Sequence, residues 1–412
     1  MAARNRTEPR RTTYGDVFVE PEFRTVVVGN LLMLLAETLR PLALSVLVFD
    51  ATDSPLLSAV TFGAGFVPQA IGGSTLTALA DRLRPRRLLV AYDLLQTAVT
   101  GVLAALRLPV WAVLVLVATA GIFAPLRSAT TGALLPEVLA GDRYVLGRSI
   151  VQTVSSTVQI GGYAVGGALV AVLSPQVALL LAACSYLVAA AIWRSGLRER
   201  AARTPGLALG ATVRETWRTN VGLLRGDRRL RGLLPAMWLP VAAVAGAEAT
   251  LVAYAARSGL PEGSAGYLLA ALPVGMVLDD VAVARVFRPA TRARLAPPLG
   301  LIKGVPLLAF AARPGLVPAM ALLCVVGICV AYSLPLQAAF AELVPENLRG
   351  RGFGLFSSGL MTAQGLGTAA IGALASAFGP TAAITAAGGL AATAVVLLRR
   401  SFTTARLLQP DP

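Results

Sequence analysis

Twelve apolar runs, each long enough to cross a lipid bilayer, fill this chain and leave little polar sequence for a soluble domain. They lie near 25–49, 57–80, 88–106, 109–134, 149–173, 176–193, 232–256, 264–284, 295–312, 315–341, 353–378 and 380–398. A crossing needs about 20 apolar residues, and a backbone in lipid must satisfy its own hydrogen bonds. Each run is therefore predicted to be a helix, and the fold class to be an all-α polytopic membrane protein. The 412 residues are 56% hydrophobic and only 14% charged, with a mean hydropathy of +0.71. Soluble domains carry nearer a quarter charged side chains, so a separate catalytic domain is not expected. The first run exceeds the apolar region of a signal peptide and is expected to be retained as helix 1.

What the chain lacks narrows its chemistry. It contains no histidine, which removes Ser-His triads, H-E-x-x-H zinc sites and imidazole-ligated haem. Lys303 is the single lysine among 36 basic residues and is followed by Gly304, so no phosphate-binding G-x-x-x-x-G-K-[ST] loop exists. Cys184, Cys324 and Cys329 sit in apolar runs without C-x-x-C spacing and read as small core hydrophobes. The expectation is no enzyme, no cofactor and no metal.

The net charge of +15 has a pattern. If each run crosses once, Arg4 to Arg11, Arg82 to Arg87, Arg194 to Arg231, Arg285 to Arg294, Arg349 with Arg351, and Arg399 to Arg406 all share one side. The other connections hold Arg107, Arg257 and Arg313 with Asp50, Asp53 and Glu262. Arginine-rich connections stay in the cytoplasm, so both termini are predicted to be cytoplasmic in a multi-pass plasma-membrane protein. The clusters lack interleaved aromatics, and nucleic acid is not an expected partner. The organisation expected is an N-terminal arm (1–22), a six-helix bundle (23–193), a cytoplasmic linker (194–231), a second bundle (232–399) and a tail (400–412). Within the linker, Val213, Trp217, Val221 and Leu224 recur at helical spacing opposite Arg214, Arg218 and Arg225. An amphipathic helix on the anionic leaflet and a solvated linker are equally consistent with that pattern.

An internal repeat supports the division. Residues 157–169 (TVQIGGYAVGGAL) align with 362–374 (TAQGLGTAAIGAL), matching at Thr157, Gln159, Gly162, Ala164, Gly167, Ala168 and Leu169. Pro68 pairs with Pro273 at the same offset, and Leu135-Pro136-Glu137 pairs with Val344-Pro345-Glu346 at a similar one. Two parallel six-helix repeats with a site at the midplane between them are a transporter plan.

With these residues in view the chain resembles the major facilitator superfamily over nearly its whole length. That family's G-x-x-x-D-R-x-G-R-[RK] loop after helix 2 is similar to T-A-L-A-D-R-L-R-P-R-R at 77–87. Asp81, Arg82, Arg86 and Arg87 fit, while Thr77 stands for the opening glycine and Arg84-Pro85 for Gly-Arg. The antiporter signature G-P-x-x-G-G of helix 5 resembles Gly162-Tyr163-Ala164-Val165-Gly166-Gly167, with Tyr163 in place of proline. Phe23, Arg24 and Glu37, and the segment Phe123, Pro125, Arg127 and Leu134 to Glu137, are similar to the macrolide-efflux and enterobactin-exporter branch. The resemblance implies gating by the 81–87 loop, with Asp81 and Arg82 near the start of helix 11, and by the helix 5 glycines.

Ionisable groups at lipid depth cost roughly 2.5–3.5 kcal/mol each on insertion scales, so those retained are the candidate site residues. Asn30, Met33, Glu37 and Arg40 share one face of helix 1, expected to line a cavity, and Glu37 and Arg40 are spaced to pair. Glu248 in helix 7 has no basic residue near it in sequence. Desolvation disfavours the charged form of a lone carboxyl, which makes Glu248 the first expected proton carrier and Glu37 the second. Asp279 and Asp280 in helix 8 share a depth with Lys303 in helix 9, where a structural ion pair between neighbouring helices is expected. Gln159 and Gln364 occupy equivalent repeat positions and offer amide donors and acceptors, to substrate or to a neighbouring helix. Gly161, Gly162, Gly166 and Gly167, with Gly365, Gly367 and Gly372, are expected to allow close helix contact and rocking.

The function expected is secondary transport: export of a small amphipathic or hydrophobic compound in exchange for protons, by a protein acting as a monomer. Uptake of a small nutrient is the alternative transporter reading, and a non-transporting receptor or scaffold the alternative from another class.

Overall fold

The computed structural model describes residues 14–76, 79–80, 82–202, 227–286 and 289–399, with positions 218, 222 and 401. Asp81, the proposed amphipathic segment of the linker and most of the terminal arms lie outside the described residues, as does the side chain of Asp280.

The twelve predicted runs emerge as twelve helical crossings. After a short helix at Tyr14–Phe18 come helix 1 (Pro21–Thr52), helix 2 (Pro55–Phe62 and Phe66–Thr75), helix 3 (Pro85–Ala105), helix 4 (Val110–Gly121 and Ala124–Val138), helix 5 (Asp142–Val172) and helix 6 (Pro175–Gly196). The second half contains helix 7 (Arg228–Ala249 and Leu251–Arg257), helix 8 (Ser264–Val286), helix 9 (Pro289–Leu308), helix 10 (Leu316–Ile328 and Ser333–Leu343), helix 11 (Arg349–Phe378) and helix 12 (Pro380–Leu397). Among the described residues ten helices are long and apolar enough to cross a membrane, and shorter apolar stretches at Ser264–Asp279 and Pro298–Ala312 belong to helices 8 and 9. Proline opens helices 1, 2, 3, 6, 9 and 12, where its missing N–H costs nothing. Ser54 and Ser174 cap helices 2 and 6 by accepting from Leu57 N and Val177 N, each at 3.3 Å. Helices 4 and 10 both break midway, at Ile122–Phe123 and at the 3₁₀ turn Cys329–Tyr332.

Packing repeats between the halves. Helix 1 packs on 5 and 6, helix 3 on 4 and 6, and helix 2 on 4; helix 7 packs on 11 and 12, helix 9 on 10 and 12, and helix 8 on 10. Between halves, helix 5 meets helix 8 and helix 2 meets helix 11, which is the same contact seen from either side of a two-fold axis. The glycines of the sequence repeat make those contacts possible. A Cβ at Gly162 would strike Thr38 of helix 1, and one at its repeat partner Gly367 would strike Ala242 of helix 7. Gly167 abuts Gly263, just before helix 8, and Gly266 within it, and its partner Gly372 abuts Leu56 and Ala59 of helix 2. The repeat thus encodes one intra-half and one inter-half contact, each used twice. Gly166 also meets Leu39 of helix 1, whereas Gly161 faces open space and has no such role.

The two ends of the molecule differ. We call the end where helix 1 starts and helix 12 finishes the terminal face. At the opposite face one apolar cluster joins both halves, running from Leu42, Phe49 and Phe62 to Tyr254, Phe310 and Ile384. Arg257 of helix 7 reaches across to Asp53, with Nη2 3.1 Å from its carbonyl and 3.7 Å from Oδ1. Toward the terminal face the apolar clusters stay within one half, around Trp193 and Leu89 in the first and around Phe340 and Leu234 in the second. Burial of shared apolar surface closes the opposite face.

Candidate translocation site

A cavity of about 550 Å³ lies between helices 1, 2, 4 and 5. Its wall carries Asn30, Met33 and Glu37 from helix 1, Gln69 from helix 2, Arg127 from helix 4, and Arg148 and Gln152 from the terminal-face end of helix 5. Val26, Leu34, Leu135 and Val151 supply apolar surface. A second cavity of about 290 Å³ sits between the halves at the opposite face, with Asp50 and Glu262 at its rim.

Behind the first cavity stands a polar cluster that sequence reading missed as a unit. Arg127 Nη2 donates to Asn30 Oδ1 at 3.1 Å, and its Nε lies 3.8 Å from Asp93 Oδ1 of helix 3. Trp193 Nε1 of helix 6 donates to the other oxygen of Asp93 at 2.9 Å. The guanidinium carbon lies 5.9 Å from both the Tyr92 and Trp193 rings, within cation–π range. Tyr92 in turn donates to Glu37 Oε1 at 3.3 Å. Asp93 and Gln96 are fully buried and Arg127 nearly so. The signal was present: Asp93 and Arg127 are ionisable residues inside the apolar runs 88–106 and 109–134, subject to the insertion cost that singled out Glu37.

Helix 1 departs from expectation at Arg40. Asn30, Met33 and Glu37 face the cavity, but Arg40 is buried away from it, donates to Gln96 Oε1 and lies 5.7 Å from the Tyr186 ring. No ion pair joins Glu37 to Arg40 among the described residues. The i,i+3 spacing allowed that pair, and the polar stripe of helix 3 drew the guanidinium off.

In the second half, Lys303 is 3% exposed, and its Nζ lies 5.0 Å from the Tyr332 ring centroid. Its charge interacts with those of Asp279 and Glu248. Helix 10 packs against both helix 8 and helix 9. Glu248, with no basic residue near it in sequence, interacts through space with the Lys303 charge of helix 9. Bundle order, invisible in sequence, decided both. The repeat-related amides differ as well: Gln159 is exposed, while Gln364 Oε1 is buried with no hydrogen-bond partner.

Of the loop after helix 2, Arg82 and Arg86 are half-buried, and Arg87 is engaged. Arg84 Nη1 and Arg87 Nε each lie 2.9 Å from Glu199 Oε1, just past helix 6. The Arg84 hydrogen bond and the Arg87 charge hold the Glu199 carboxyl below its ordinary pKa. Arg200 forms a bidentate pair with Glu22 at 2.6 and 3.1 Å, and that bond raises the guanidinium's pKa. The terminal face of the first bundle is thereby fastened across helices 1, 3 and 6.

The family profile described as Major Facilitator Superfamily matches residues 26–301, more than half of the chain. The chain belongs to the major facilitator superfamily. Solved structures agree on the fold. A peptide transporter POT in complex with sulfate superposes with a TM-score of 0.76 at 14% identity, covering 98% of each chain. A mutant of a peptide transporter POT in complex with alafosfalin also scores 0.76, at 15% identity and 98% coverage of each chain. A POT family transporter in complex with 5-aminolevulinic acid scores 0.73 at 10% identity, over 96% of this chain and 98% of that one. No curated protein sequence matches the chain significantly. This major facilitator protein is a multi-pass membrane protein and a secondary transporter.

Proposed function

We propose that this transporter exports a small amphipathic compound in exchange for protons, as a monomer with both termini on the cytoplasmic side of the plasma membrane. The arginine bias supports that orientation, and the cavity then faces the cytoplasm. The observation that carries the reading is Glu37. It is a half-buried carboxyl on the cavity wall with one hydrogen bond, from Tyr92, while its helix neighbour Arg40 is turned away. A carboxyl so placed reaches water through the cavity and can take up or release a proton while the apolar wall holds substrate. Alternating access follows from exchanging the apolar closure at one face for closure at the other. Glu37 is favoured over Glu248, the carrier expected first, because Glu37 lines the cavity and Glu248 lines neither of the two cavities described. The branch resemblance to macrolide-efflux and enterobactin-exporter proteins agrees with outward transport.

The test uses inverted membrane vesicles acidified inside and loaded with acridine orange, challenged with a panel of amphipathic compounds. Wild type should dequench the dye for at least one compound, and Glu37→Gln should not. Dequenching retained in Glu37→Gln would refute the assignment. A second reading, uptake of a zwitterionic nutrient, is favoured by the presence of Arg127 and Arg148 beside Glu37 on one wall. An uncoupler raises cellular accumulation of an exported compound and lowers that of one taken up.

A further inference from the structure

Arg127 lines the cavity, yet a carboxylate behind the wall also claims it. At 3.8 Å, its Nε contact with Asp93 is longer than a hydrogen bond. Both Arg127 Nε and Asp93 Oδ1 are buried without a hydrogen-bond partner. A guanidinium built to stay put makes two parallel bonds to a carboxylate, as Arg200 does with Glu22 at 2.6 and 3.1 Å. Asp93 is fixed from its far side by Trp193 Nε1 at 2.9 Å, so the movable member of the pair is Arg127. Its head lies between the Tyr92 and Trp193 rings, 5.9 Å from each. Asn30, its one hydrogen-bonded partner at 3.1 Å, belongs to the cavity wall.

We propose that Arg127 binds a carboxylate on the transported compound, and that Asp93 is the positioning residue that holds Arg127 until such a group arrives. The inference rests on the reading of this cavity as the substrate site and narrows the cargo to an amphipathic acid. A substrate carboxylate in the cavity can make the bidentate bond that Asp93, anchored to Trp193, does not make. Asp93 keeps the buried guanidinium compensated when no substrate is bound, because a bare charge at that depth is strongly disfavoured. The loose pair is therefore an exchangeable one. Its release couples the presence of an acid in the cavity to the packing of helices 3 and 6, to which Asp93 and Trp193 belong.

The experiment treats purified full-length protein with phenylglyoxal, which modifies guanidinium groups, and follows Arg127 by peptide mass spectrometry with Arg148 as internal reference. Asp93→Asn keeps the size of the side chain and an acceptor for Trp193 while removing the charge. Arg127 should then react roughly tenfold faster than in wild type, the scale of losing one interaction with a charged partner, while Arg148 keeps its rate. Benzoate should protect Arg127 in both proteins, and benzamide, of the same shape but uncharged, should not. An unchanged Arg127 rate in Asp93→Asn, or equal action of benzoate and benzamide, overturns the proposal. If Asp93→Asn does not fold, the benzoate and benzamide comparison on wild type decides alone. No arm requires transport or a proton gradient, so protection with failed proton exchange would sink the proposed function and leave the carboxylate site standing.

Discussion

Replacing Gly167 by alanine should unlock the opposite face. A Cβ there would stand 2.6 Å from the Gly263 carbonyl oxygen and 2.7 Å from Gly266 Cα. Both neighbours are backbone, so no side chain can rotate aside and helices 5 and 8 must part. Overpacking of this kind costs about 1–3 kcal/mol. The cost falls on the conformation in which the opposite face is closed, since that is where the two halves touch at this point. A bias of about 1–3 kcal/mol changes an equilibrium constant roughly 5- to 150-fold, enough to move a visible share of molecules to the other conformation. Spin labels at Val172→Cys and Glu262→Cys, both exposed positions, in a cysteine-free background report the gap. Pulsed dipolar spectroscopy should show a longer-distance population in Gly167→Ala. The repeat-related Gly372→Ala provides a scale, because its Cβ would meet the Ala59 methyl at 2.8 Å and Leu56 Cα at 3.4 Å. Its nearest obstacle is one side-chain methyl, and its effect should be the smaller of the two. If Gly167→Ala leaves the distance distribution unchanged, the helix 5 to helix 8 contact does not control the opposite face.

Three further outcomes are expected. Lys303→Met removes a buried cation that compensates the buried Asp279 and the half-buried Glu248, which should cost up to about 3–5 kcal/mol and appear as a lower unfolding temperature of purified protein; full stability would mean that Lys303 compensates neither. The Glu199 clamp should be acid-labile. Its carboxyl titrates lower folded than unfolded, so its stabilisation is present above the unfolded value of about 4.3 and is lost as pH falls through the folded one. Thermal scans from pH 6 to pH 3 should show a step that Glu199→Gln removes, and an identical profile for the variant would exclude the clamp as its source. For topology, Gly210→Cys in a cysteine-free variant should resist a membrane-impermeant thiol reagent applied to intact cells, and efficient labelling would invert the proposed orientation.

Particular residues show how far the sequence could be read. The run at 25–49 became helix 1 at Pro21–Thr52, and the run at 380–398 became helix 12 at Pro380–Leu397. Hydropathy dictates such spans because lipid leaves no other conformation open to an apolar stretch. Glu37 was legible for the same reason, as a charge kept at a depth where charges are costly. Asp93 and Arg127 obeyed that rule too, but one sits in helix 3 and the other in helix 4, with nothing in the spacing to show that they meet. Arg40 was misread because local i,i+3 geometry competes with partners 56 residues away at Gln96.

The chain's own order therefore determined what each segment is: twelve crossings, a repeat with its glycines at fixed offsets, and the side on which the arginines collect. These properties follow from the transfer energy of single residues and from short-range periodicity, both local in sequence. Tertiary structure alone decided which charge faces which. It packed helix 10 against both helices 8 and 9, brought the Lys303 charge near Glu248, turned Arg40 from the cavity to Gln96, and suspended Arg127 between Asn30 and Asp93. Electrostatic pairing falls off over a few ångströms, and such distances between helices are set by the packing of the whole bundle.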